Sequence, residues 1–132
     1  MKKGVTNFAV GHVLSILKRG ILSSRREVLV IKTHFNYSLL LLLYRKGFIE
    51  GFYLHDKEFY SVKLKYWQGR SLIRDFKIIS KPSRRFYLGT GLIKNRLMSG
   101  RLSVFSTSLG LLTSIECLYL NVGGEILFEI IL

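Results

Sequence analysis

The sequence is poor in residues that tie a chain together covalently or through metal. A single cysteine, Cys117, rules out an intrachain disulfide and any cysteine-built metal cluster, and His12, His34 and His55 are the only other soft ligands in 132 residues. No metal or other cofactor is therefore expected. Cys117, set among Ile115, Leu118 and Leu120, reads as a buried, inert thiol. Long apolar runs are also missing. The longest uncharged one, Tyr37 to Tyr44, is less than half of the roughly 20 residues that a bilayer crossing takes. Met1-Lys2-Lys3-Gly4 runs into Val5-Thr6-Asn7-Phe8 with neither the apolar run of a secretory signal nor the Arg- and Ser-rich extension of an organelle presequence, so the fold is expected to start at once. One alanine, Ala9, and one proline, Pro82, stand against nine Phe and seven Tyr. That usage points to an AT-rich coding genome, common in organelles and found in some bacteria.

Acids are scarce as well. Eight Asp and Glu face 21 Lys and Arg, giving a formal net charge of +13, while 48% of the residues are hydrophobic. Such a chain folds around a real core and takes a polyanion as partner, whether RNA, DNA or an anionic membrane surface. The charge is uneven. Every Lys and Arg lies at or before Arg101, and beyond it only Glu116, Glu125 and Glu129 are charged. The tail is thus restricted to hydroxyls, backbone amides and small residues if it touches nucleic acid.

Val10, Val13, Leu14, Leu17 and Ile21 recur at helical spacing and predict a helix over Phe8 to Lys18, with Thr6 or Asn7 as N-cap and Gly20 near its end. Glu27 to Ile31 reads as a buried strand, and Asn36 to Lys46 as a helix closed by Gly47. Alternating segments follow at Gly51 to Leu54, Ser61 to Tyr66, Ile73 to Ile79 and Phe86 to Leu88, strands of an antiparallel sheet. The turn Ser80-Lys81-Pro82-Ser83 is the expected boundary between lobes. Leu92 to Met98 suits a short helix or turn, Arg101 to Phe105 a strand, and Ser106 to Gly110 a hydroxyl-rich loop. Thr113 and Glu116 form a capping box ahead of a helix over Ile115 to Leu120. Ile126, Phe128, Ile130 and Leu132 alternate with Glu125 and Glu129, which predicts a strand with one buried and one open face. The fold class is α+β with two small lobes. Residues 1–80 make an N-terminal helix-strand-helix lobe with antiparallel strands, and residues 81–132 a mainly β lobe with short helices.

Cations and rings interleave between Lys57 and Tyr87, including Lys63, Tyr66, Trp67, Arg74, Lys77, Lys81, Arg84 and Arg85. With net charge this high, that mixture reads as a phosphate-tracking surface with rings for stacking, in preference to a solvated sheet face. Ser106-Thr107-Ser108 beside Gly110 lacks the G-x-S-x-G of a serine hydrolase, and all three histidines lie far upstream in the chain without a patterned acidic partner. Gly89-Thr90-Gly91 is too short to cradle a phosphate and reads as a turn. No catalysis and no small-molecule substrate are expected.

Ile79-Ser80-Lys81-Pro82 followed by Arg85-Phe86-Tyr87, then Ser106-Thr107-Ser108-Leu109-Gly110 with Thr113, and finally Val122-Gly123-Gly124-Glu125-Ile126-Leu127, resemble the bacterial and organellar small-subunit ribosomal protein number eight. Val13 to Leu17 and Arg45-Lys46-Gly47-Phe48-Ile49 extend the likeness over the first half. The resemblance implies a two-lobe protein that binds the central domain of small-subunit rRNA and sits among neighbouring small-subunit proteins, five and twelve included. It implies RNA contacts from Ser106, Thr107 and Ser108, with Tyr87, Gly123, Gly124 and Glu125 as the adjoining surface. Lys81, Arg84 and Arg85 complete the expected rRNA-binding set. The chain departs from the family pattern at His12, Arg19 and Ser83, and in its cation-free tail. With the composition, the resemblance leads to an expected place in a mitochondrial small ribosomal subunit, with a plastid or bacterial version as the alternative. A general basic RNA-binding protein or a membrane-surface basic protein are the readings from other classes. The second needs Lys and Arg along a helix face, where the first helix has only Lys18 and Arg19 at its end.

Overall fold

The computed structural model describes residues 3–81, 83–96 and 101–132, with side chains from Val10 onward in the first stretch. It is an α+β protein built on two compact units, one of Ala9–Ile73 and one of Arg74–Leu132 together with the residues up to Phe8. The order is α1 (Lys3–Leu22), β1 (Glu27–Ile31), α2 (His34–Arg45), β2 (Ile49–Leu54), β3 (Phe59–Leu64), β4 (Asp75–Ile78), β5 (Tyr87–Leu88), α3 (Thr90–Arg96), β6 (Leu102–Thr107), β7 (Gly110–Thr113), α4 (Ser114–Leu120) and β8 (Gly124–Ile131).

In the first unit the expected amphipathic helix is longer than its apolar periodicity indicates. It begins at Lys3, so Thr6 and Asn7 lie inside it, and it runs past Gly20 to Leu22. Gly20 serves a packing purpose there, because a Cβ at this position would stand 2.5 Å from Val28 Cγ1. Thr33 caps α2, its Oγ1 accepting from the Asn36 backbone at 3.1 Å, and the buried Asn36 donates Nδ2 to the Ile31 carbonyl at 2.8 Å. Gly47, at φ +80°, ends the helix in the left-handed conformation open to a residue without Cβ. Three antiparallel strands in the order β1-β3-β2 form the sheet. Leu17 and Ile21 of α1, Leu43 of α2, Ile49 of β2 and Leu64 of β3 close around one another.

β1 is not buried on both sides. Val28 and Val30 are in the core, but Leu29 and Ile31 keep 44% and 42% of their surface exposed on the opposite face. On that face Glu27 accepts from Ser61 Oγ and from Tyr53 Oη at 2.9 Å. These hydrogen bonds, Ser61's foremost, hold its carboxyl below the ordinary glutamate range.

The second unit is a five-stranded sheet, ordered β4-β8-β6-β7 with β5 also on β8. β4 precedes the Ser80 to Ser83 turn at which the sequence places the boundary, yet it pairs with β8 through Phe76↔Ile130 and Ile78↔Phe128. The two units therefore divide between Ile73 and Arg74. Ile93 and Cys117, from the two short helices, pack on Phe105, Leu112 and Ile126. Burial raises the Cys117 thiol to about 11, and the nearby Glu116 charge pushes the same way.

The expectation of one open face on β8 fails. Residues 125–130 are all buried, Glu129 to 1% and Glu125 to 7% exposure. β8 also carries a register shift. Val104 pairs with Phe128 and Phe105 with Ile126, which leaves Leu127 as an extra residue in β8. Adjacent β6 residues point to opposite faces, so the bulge places Ile126 and Glu129 on the helix-covered face. Glu125, Phe128 and Ile130 go to the other.

Candidate nucleic-acid interface

β6 extends further than the sequence indicates. Ser106 and Thr107 belong to the strand, and only Ser108 and Leu109 form the tip of a hairpin into β7, an element the sequence reading missed. Its one signal is Gly110, which adopts φ +106° and so needs to be glycine. Thr107 locks this tip, its Oγ1 donating to the Gly110 carbonyl at 2.8 Å and accepting from Leu109 N at 3.1 Å. Among the described residues, none hydrogen-bonds to the side chains of Ser106, Ser108 or Tyr87.

Strand pairing brings most of the expected residues together. Tyr87 is opposite Glu125, and Glu125 is opposite Ser106, so the three lie in one row across β5, β8 and β6 and share a face. Tyr87 is 58% exposed at the end of that row, while Glu125 is nearly covered. The two glycines beside Glu125 let the strands come this close. A Cβ on Gly124 would stand 2.5 Å from the Ser106 carbonyl oxygen and 2.8 Å from Thr107 Cγ2, and one on Gly123 2.6 Å from the Leu88 carbonyl oxygen. Both glycines are thus required by backbone approach, a packing reason that their sequence context does not reveal.

Lys81, Arg84 and Arg85 lie on a tight turn, closed by hydrogen bonds of 2.8 and 2.9 Å between the backbones of Lys81 and Arg84. Pro82 is outside the described residues. The turn is rooted on β8 directly next to the row. Ile79 donates to the Leu127 carbonyl and Ile126 to the Phe86 carbonyl, both at 3.0 Å, and the buried Ser80 Oγ accepts from Phe86 N at 3.0 Å. Lys81 and Arg84 are exposed, Arg85 is half-buried, and the Arg84 guanidinium stands 5.9 Å from the centre of the Phe86 ring. The other interleaved residues divide between the units. Tyr66 is held in place, donating its hydroxyl to the Arg25 carbonyl at 2.6 Å, whereas Trp67 stands 72% exposed on the Gln68-Gly69 turn.

A second cationic cluster escaped the sequence reading because the bulge conceals it. The buried Glu129 carboxylate accepts from Arg96, from Arg101 at 3.2 Å and from Ser103 Oγ at 3.3 Å. It belongs to the face opposite the Tyr87 row. Among the described residues, no group of three or more His, Cys, Asp or Glu could hold a metal ion, and no helix is long and apolar enough to cross a membrane.

What these residues can do is bind: hydroxyls donate and accept hydrogen bonds, and cations neutralise phosphates. Comparisons with known proteins identify the family. A family model described as Ribosomal protein S8 matches residues 9–131. The chain is 33% identical over 124 residues to Small ribosomal subunit protein uS8m of Acanthamoeba castellanii, an alignment covering 92% of this chain and 97% of that one. It is 31% identical over 135 residues to Small ribosomal subunit protein uS8c of Tetradesmus obliquus, covering 96% and 99%. To Small ribosomal subunit protein uS8 of Chlorobaculum tepidum it is 41% identical over 102 residues, covering 74% and 77%. The chain belongs to the ribosomal protein S8 family, whose members are structural proteins and not enzymes.

Proposed function

We propose that this protein is a structural constituent of a small ribosomal subunit and binds the central domain of its rRNA through the Arg74–Leu132 unit. The observation that carries the reading is the cross-strand row Tyr87, Glu125, Ser106, continued by Thr107 and Ser108 at the hairpin tip. Ser106, Ser108 and Tyr87 offer hydroxyls suited to 2′-OH groups, phosphates and base edges. Thr107 holds the tip that presents them. Gly123 and Gly124 keep the surface low enough for close approach, and Glu125 is placed to accept from base amino groups or to orient the loop. Lys81, Arg84 and Arg85 neutralise backbone phosphates next to the row, and neighbouring small-subunit proteins cover further surface. The Phe- and Tyr-rich, Ala-poor composition and the match to the Acanthamoeba relative favour a mitochondrial ribosome.

The test is a filter-binding titration of the purified chain against a central-domain rRNA fragment and a scrambled duplex of equal length, across a salt series. The reading expects a preference for the rRNA fragment that persists as salt rises. Equal binding to both that vanishes with salt leaves only a general basic protein and defeats the proposal.

A further inference from the structure

We infer that Trp67, carried on the turn Trp67 to Arg70, stacks on an unpaired base of RNA, with Lys65 and Arg70 on either side of it in the chain neutralising the neighbouring phosphates. Three features carry this. First, the only tryptophan of the chain is left 72% exposed, although its indole offers one of the largest apolar surfaces that a core can take up. Secondly, the ring stands on a rigid support. Trp67 N donates to the Arg70 carbonyl at 2.6 Å and Arg70 N to the Trp67 carbonyl at 3.0 Å, while Gln68 and Gly69 take φ +51° and +80°, the two left-handed central residues of a type I′ turn. The stem is fixed on both sides, since Tyr66 is tied to the Arg25 carbonyl and Ile73 is buried with Leu17, Leu43 and Phe48. A Cβ on Gly69 would meet nothing within 4 Å, so the tip stands in open space. Thirdly, the surroundings are cationic. From Phe59 to Arg74 the chain carries Lys63, Lys65, Arg70 and Arg74 and no acid. Lys65 and Arg70 are exposed, and among the described residues no carboxylate pairs with either. An apolar protein pocket would have to strip water from those cations, whereas a base offers the indole a flat face and its adjoining phosphates meet the charges. A paired base is covered on both faces by its neighbours in the helix, so the contact selects an unpaired one.

This inference rests on the RNA-binding reading above and adds a contact on the Ala9–Ile73 unit, which that reading leaves unused. The experiment follows the emission of Trp67, unmixed with that of any other tryptophan, as the full chain is titrated with a single-stranded oligoribonucleotide free of self-complementarity and, separately, with a fully paired duplex of equal length. Filter binding reports saturation in each case. The single strand is expected to quench the emission at saturation, and the duplex to leave most of it. Trp67→Ala is expected to bind the single strand about fivefold to a hundredfold more weakly, the scale of one stacked base, with the slope of log K against log salt unchanged because no charge is lost. Trp67→Phe keeps a flat ring and should recover most of the loss, and Arg70→Gln should flatten the slope by about 0.7. If Trp67→Ala does not fold, judged by its melting curve, the emission of the wild-type chain still decides. A single strand that does not bind, or that leaves the emission unchanged at saturation, overturns the inference, as do equal quenching by the duplex and full affinity in a folded Trp67→Ala. An unaltered slope in Arg70→Gln removes the phosphate contact from it. A wild-type chain that fails to prefer the central-domain rRNA fragment defeats the proposed function instead, and quenching by the single strand is still legible by itself.

Discussion

Substituting Gly124 by alanine tests the geometry of the interface most directly, because the obstacle is backbone and cannot swing aside. The added methyl would lie 2.5 Å from the Ser106 carbonyl oxygen, 2.8 Å from Thr107 Cγ2 and 3.2 Å from the Ser106 carbonyl carbon. Ordinary contact between carbon atoms begins at about 3.5 Å, so the end of β6 has to move away from β8 by several tenths of an ångström or more. Overpacking of this kind typically costs about 1 to 3 kcal/mol. That is less than the roughly 5 to 15 kcal/mol that keeps a domain folded, so the variant should remain native at 25 °C with a lowered urea midpoint. The same displacement separates Ser106 from Glu125 and tilts the hairpin tip. If one or two hydrogen bonds to RNA are lost, affinity falls about tenfold or more, at about 1.4 kcal/mol per factor of ten. Urea unfolding and filter binding on one preparation measure both effects. Gly51→Ala on β2 is the control, since nothing lies within 4 Å of its Cβ position. A Gly124→Ala protein with wild-type midpoint and wild-type affinity refutes the reasoning, because the close approach would then be neither tight nor needed.

Thr107→Ala removes both hydrogen bonds that lock the hairpin tip and should weaken rRNA binding by about 1 to 2 kcal/mol without unfolding the chain, with Thr107→Ser restoring most of it; full affinity in the alanine variant would take the tip out of the interface. Reversing Arg84 and Arg85 to Glu should weaken binding and flatten its salt dependence, and an unaltered salt slope places those arginines away from phosphate. Cys117, fully buried with its thiol raised to about 11, should resist iodoacetamide at pH 8 and react once urea unfolds the chain. The contribution of its neutral thiol to stability persists up to about pH 9, the ordinary thiol value, and is lost as pH rises through 11. Mass spectrometry of the alkylated protein at both urea concentrations decides the first point, and alkaline unfolding of Cys117→Ser against the wild type decides the second.

Much of the architecture is legible in the sequence because it is local. The Thr33 and Gly47 ends of α2 and the reach of Glu116 back to the Thr113 amide, at 3.0 Å, depend on residues three or four apart. The row Tyr87, Glu125, Ser106 is legible only through the family resemblance, since no local rule pairs positions so far apart. What the chain conceals is set by pairing at a distance. Asp75 to Ile78 looks like a continuation of the first sheet until β8, more than forty residues on in the chain, claims it. Leu29 and Ile31 suggest a doubly buried strand because a β-branched and leucine-rich run has no intrinsic record of which side is covered. Glu125 and Glu129 look equivalent in a strict alternation, and the extra residue between them makes them face opposite ways.

That extra residue has a consequence for how the protein tolerates change. Leu127 is a phase break in the strand: the stretch before it and the stretch after it keep separate time. Removing it would restore simple alternation with Ile126 still opposite Phe105 and Glu125 still opposite Ser106, so every side chain would keep its face, whereas a further residue inserted beside it would turn over half the strand. The two ends of β8 are therefore free to vary independently. One end serves the Tyr87 row and the other holds the arginine pair, with one backbone serving two surfaces that need not agree.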